Sequence, residues 1–162
     1  MKKFSLVLFI LVIAVSFAAI SCSGQKKSGA ASSGNMVVDT LNASLAKVPI
    51  EGFQSGKAAS KQEWDAMITK AIPVVKEVLP KVPDGYSLQT TGHTDAQGGV
   101  NSAGNLNLST ARAKQVYDAI KKQGVNDKKF TYKGVAGNII SSKCGANDNC
   151  QRRVTFMVVP AK

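Results

Sequence analysis

The stretch 91–112, TGHTDAQGGVNSAGNLNLSTAR, decides how this chain is read. It begins where an alternating segment ends: Tyr86, Leu88 and Thr90 share one side, the period-two pattern of a strand with one buried face. Gly92 lets the backbone turn sharply and leaves Asp95 at the strand's exit. Gly98, Gly99 and Gly104 then mark a loop that tolerates unusual dihedrals. The spacing beyond it predicts a helix that opens near Asn105, runs to about Gln123 and carries Arg112 in its first turns. A carboxylate at a strand end and a guanidinium on the next helix can face one site. Such a pair suits a zwitterion, the Asp taking an ammonium and the Arg a carboxylate in a two-point fork. That is a binding geometry, and it suggests no reaction.

Upstream lies the strongest helix signal. Ser60 and Glu63 form a capping box, and Trp64, Met67, Ile68, Ala71, Ile72, Val75, Val78 and Leu79 follow at helical spacing, with Pro73 expected to kink the helix. Pro80, Pro83, Asp84 and Gly85 stop it. Residues 48–53 read as a first strand with an irregular start at Pro49, and Met36–Leu45 as a short helix. Downstream, the helix after Asn105 is expected to bury Leu108, Ala111, Val116, Ala119 and Ile120, with Lys121, Lys122 and Gly124 suited to its C-terminal end. Strands are predicted at 130–134 and 154–159. Together these give an α+β fold, with two main helices packed on one face of a mixed four-stranded sheet.

Gly92-His93-Thr94-Asp95, Asn105, Leu108-Ser109, Arg112-Ala113 and Gln151-Arg152-Arg153-Val154, in that order, resemble the OmpA-like C-terminal domain. The likeness spans about residues 48–159 and implies a βαβαββ fold that binds peptidoglycan non-covalently. By this resemblance Asp95 and Arg112 grip the amino-acid head of diaminopimelate in the stem peptide, and Asn105 and Arg152 complete the site. The chain departs from the family's pattern in three places. The loop from Asp95 to Arg112 is slightly longer, Gln151 stands where the family prefers Asn, and Gln54 stands where it often has Asp.

The ends of the chain suit an envelope protein. Lys2 and Lys3 followed by an apolar run over residues 4–20 read as a signal peptide at 1–21. Ala19-Ile20-Ser21-Cys22 resembles a lipobox, so Cys22 is the expected lipidation site of an outer-membrane lipoprotein carrying palmitate. Residues 22–46 read as the lipidated Cys and a flexible tether, and 47–162 as the binding domain, placed in the periplasm or exposed at the surface. The net charge is +11; removing Lys2 and Lys3 with the signal leaves +9, which favours anionic envelope partners. Nucleic acid is not expected, since the chain is exported and its cations are not interleaved with aromatics.

Of three cysteines, Cys144 and Cys150 remain as an even pair in an oxidising compartment, and a disulfide closing that small loop is expected. His93 is the only histidine, so no metal set and no cofactor is expected. With no nucleophile elbow beside it, His93 reads as a structural hydrogen-bonding residue, and no enzyme is expected. The alternative function is an exported adhesin whose positive surface engages host matrix or other envelope proteins.

Overall fold

A computed structural model describes residues 32–58 and 61–162. The signal peptide, Cys22 and the Ser60 half of the capping box lie outside the described residues. Three helices and three strands follow in the order α1 (Met36–Leu45), α2 (Lys61–Val78), β1 (Tyr86–Gly92), α3 (Ala103–Lys122), β2 (Phe130–Gly134) and β3 (Val154–Pro160). β1 is central, parallel to β2 and antiparallel to β3. On β1 and β3, Leu88, Thr90, Val154, Phe156 and Val158 are buried, whereas Ser87, Gln89, Thr155, Met157 and Val159 on the alternate positions are half-buried. One face of the sheet therefore carries the core. Ile68, Val75, Val78, Val116 and Ile120 of α2 and α3 close over it with Val38, Leu41 and Leu45 of α1.

The helix over the sheet is held unusually close. A Cβ at Gly92 would collide with the Ser109 carbonyl, and one at Gly134 with the backbone and side chains of Ser109 and Thr110. Two strand glycines thus let the N-terminal half of α3 rest directly on the ends of β1 and β2. Farther along, Tyr117 stacks at 4.8 Å from Phe130 and 5.1 Å from Tyr132, which joins α3 to β2.

The structure changes several expectations. The sheet has three strands among the described residues, not four. The segment 48–53 makes a single bridge, in which Ile50 and Val154 exchange backbone hydrogen bonds of 2.9 and 2.7 Å. Pro49 has no N–H to give, and Gly52 takes φ 83°, so the pairing cannot extend. The short helix α1 packs into the same core through Val38, Leu41 and Leu45, so three helices rather than two cover the sheet among the described residues. The edge that a fourth strand would cover is closed partly by α1: the Asn42 amide donates to the Val158 carbonyl (3.2 Å) and accepts from its N–H (2.7 Å), as a neighbouring strand would. Ser102 caps α3 by accepting from the Asn105 N–H, so the helix starts earlier than its apolar spacing suggests. Its buried face is Asn105, Ser109, Arg112, Ala113, Val116 and Ile120; Ala111 is exposed and Leu108 only half-buried. The helix α2 is continuous through Pro73, which is exposed.

Candidate functional site

The site forms where β1 runs out. Beyond Gly92, the His93 N–H bonds the Arg153 carbonyl and the Thr94 N–H bonds the Ala136 carbonyl, both at 2.9 Å. These bonds carry the strand direction onward and set Asp95 between the loop after β2 and the turn before β3. Ser109 locks the same corner, its hydroxyl accepting from the Ala136 N–H at 3.0 Å. Ala136 itself holds φ 49°, a left-handed conformation uncommon for a residue with a Cβ.

Asp95 is buried and accepts from Arg152 Nη1 through Oδ2 at 2.9 Å. Arg152 is also fixed by its Nε, which donates to the Phe53 carbonyl at 2.7 Å. The Asp95–Arg152 ion pair uses one of the two carboxylate oxygens. Arg112 lies beside this pair with no solvent exposure at all. Its Nε donates to the Lys57 carbonyl (3.1 Å), Nη1 to His93 (2.9 Å) and Nη2 to Gln54 (3.0 Å), and its guanidinium sits 5.3 Å over the Phe53 ring. These bonds use three of its five N–H groups and leave one on each terminal nitrogen. Burial lowers its pKa to about 10, opposed by the Asp95 charge and assisted by that of Arg152, so it stays cationic at neutral pH. One guanidinium thus pairs with the Asp95 carboxylate while a second lies near enough to feel both charges, and the local balance is positive.

Asp95, Arg112 and Arg152 are brought together, but not in the arrangement expected from the sequence. Asp95 is paired with Arg152 across the chain, and Arg112 is held by backbone carbonyls. Asn105 acts one layer back: its Nδ2 donates to Gln97 and Gly99 carbonyls at 2.8 Å and reaches the Asp95 carbonyl at 3.5 Å, which ties the loop down. Arg153 points elsewhere, to Gln151 and the Ile139 carbonyl. His93 is buried with Nε2 at 2.9 Å from the Thr155 hydroxyl; burial and then the charge of Arg153 push its pKa down to about 3, so the ring is neutral. Cys144 and Cys150 are joined in a disulfide. Among the described residues no group of three or more His, Cys, Asp or Glu could hold a metal, and no helix is long and apolar enough to cross a membrane.

Sequence reasoning missed the loop before α2. Phe53, Gln54 and Lys57 act mainly through backbone carbonyls, which leave no mark on side-chain pattern. The one available signal is Phe53 beside Gly52, an aromatic at a bend with charged residues nearby. Gln151 was noticed only as a departure, yet it is buried and keys the cysteine loop.

Residues 74–152 match the model of the OmpA family. Among solved structures, the OmpA-like domain of FopA1 from Francisella tularensis subsp. tularensis SCHU S4 is similar at 23% identity, covering 70% of this chain and 72% of that one, with a TM-score of 0.54. The C-terminal domain of Helicobacter pylori MotB is 19% identical over 70% of this chain and 84% of its own, with a TM-score of 0.51. A longer periplasmic piece of the same MotB is 15% identical over 70% and 78%, with a TM-score of 0.52. These likenesses concern the fold. No curated protein matches the chain.

Proposed function

We propose that the chain, residues 74–152 of which match the model of the OmpA family, binds peptidoglycan without a covalent link, through the amino-acid head of diaminopimelate in the stem peptide. The observation that carries this reading is the positive balance of the site: among the described residues, buried Arg112 pairs with no side-chain carboxylate, while Asp95 pairs with Arg152 through Oδ2. The ligand's carboxylate is drawn to the positive charge that Arg112 and Arg152 place at this corner, and its ammonium matches Asp95. A zwitterion satisfies both charges on one carbon, which a simple anion or cation cannot do. Arg152 orients Asp95, and Asn105 holds the loop that presents it.

Cys22, at the end of the apolar run, would carry the lipid, so that the domain anchors the outer membrane to the wall from the periplasmic side. The motivating observation is the lipobox-like Ala19-Ile20-Ser21-Cys22. The adhesin reading rests on net charge alone, and no particular arrangement of residues favours it.

Pull-down of the full-length chain with purified sacculi tests the binding claim. Saturable binding that free diaminopimelate competes away is expected, and Asp95→Ala should weaken it by about ten- to a hundredfold, the loss of one charge-assisted contact of roughly 1.5–3 kcal/mol. Binding that diaminopimelate leaves untouched would point to the adhesin alternative instead.

A further inference from the structure

Seven residues close a small ring in which the cysteine loop is one side. The Ala96 N–H, directly after Asp95, bonds the Ala146 carbonyl inside the loop at 3.1 Å. Cys144 is joined to Cys150 by the disulfide. Cys150 is the middle residue of the short helical turn Asn149–Gln151, and the Arg152 N–H bonds the Asn149 carbonyl at 3.0 Å. The ion pair Arg152–Asp95 completes the circuit. Gln151 sits at its hub, 1% exposed. Its Oε1 accepts from the Ser141 N–H (2.8 Å) and from Arg153 Nη1 (3.0 Å), and its Nε2 donates to the carbonyls of Ser141, Cys144 and Gly145 at 3.1–3.3 Å. One amide thus fastens the first arm of the loop to the residue that precedes Arg152.

We propose that the Cys144–Cys150 disulfide loop, keyed by Gln151, is a positioning element of the binding site that sets the Asp95–Arg152 geometry and makes ligand affinity depend on the oxidation state of the bond. This rests on the reading of Asp95, Arg112 and Arg152 as the wall-binding residues. The cysteines are half-buried and the residues between them exposed, so a reductant can reach the bond. A dithiol would supply two electrons and two protons, leaving Cys144 and Cys150 as thiols and itself closing to a disulfide. The loop then keeps its Gln151 contacts but loses its covalent closure. The Ala146 and Cys150 sides can separate, and Asp95 and Arg152 are no longer held in one register. The core on the far side of Gly92 touches none of these bonds, which is why affinity should change while the fold persists.

Isothermal titration of the full-length chain with free diaminopimelate tests this in three forms: oxidised, reduced with a phosphine, and Cys144→Ser/Cys150→Ser. Gln151→Ala, with its disulfide intact, is a fourth. Reduction, the double substitution and Gln151→Ala should each weaken binding by about tenfold, with the far-ultraviolet circular dichroism unchanged. In an Arg152→Ala background, loss of the disulfide should add nothing further, because both changes act through one contact. Affinities within twofold of the oxidised chain would overturn the proposal, as would losses that add fully in the Arg152→Ala background or variants that no longer fold. If the oxidised wild type itself does not bind, the site reading fails first, and the positioning role with it.

Discussion

Arg112 is the residue on which the account turns, and its setting explains why an arginine is needed. A guanidinium can reach three carbonyls at different angles, on Gln54, Lys57 and His93, and keep its charge beside Asp95; a lysine ammonium cannot span them. His93 is the opposite case, a titratable group kept neutral. Its folded pKa is about 3 against the ordinary 6.5, so between those values the unfolded chain binds a proton that the folded one does not. The His93 contribution to stability is therefore fully present above pH 6.5 and is lost as pH falls toward 3. Urea denaturation of the wild type and of His93→Gln at pH 7 and pH 4.5 should show the wild type losing on the order of 2 kcal/mol more than the variant on acidification. Equal losses would mean that the ring is charged in the folded state.

At the scale of elements, the approach of α3 to the sheet places Arg112 where the strand ends. Gly92→Ala should force α3 outward and cost about 3 kcal/mol, read as a lower urea midpoint, because the clash is with backbone that no rotamer can relieve. An unchanged midpoint would show that the contact is looser than described. The strand Phe130–Gly134 was legible in the sequence to the residue, and the alternation of Tyr86, Leu88 and Thr90 marked the core of Tyr86–Gly92. The buried face of α3 was not. Apolar spacing points to Leu108 and Ala111, but the first turns of this helix bury Asn105, Ser109 and Arg112, polar groups whose partners are mostly backbone atoms of the surrounding loops. The segment 48–53 misled for a related reason: its composition suits a strand, and only Pro49 and Gly52 show that pairing stops at Ile50.

For the molecule as a whole, the parts of the site were visible and their connections were not. Asp95, Arg112 and Arg152 stand out as charges in a recognisable order, yet the ion pair joins residues 57 positions apart, and Arg112 depends on carbonyls more than 50 positions away. Such contacts follow from the packing of α1, α2 and α3 on one face of a three-stranded sheet. The net charge of +11 concerns the surface and the partners it meets; the buried corner, where two arginines exceed one aspartate, is where the proposal places specificity. The central claim is that this corner takes the head of diaminopimelate. Its most direct test is calorimetric titration of the oxidised full-length chain with a stem tripeptide ending in diaminopimelate, alongside Asp95→Ala and Arg152→Ala. The account predicts one saturable site whose affinity falls by about ten- to a hundredfold in each folded variant; variants that bind the tripeptide as tightly as the wild type would contradict it.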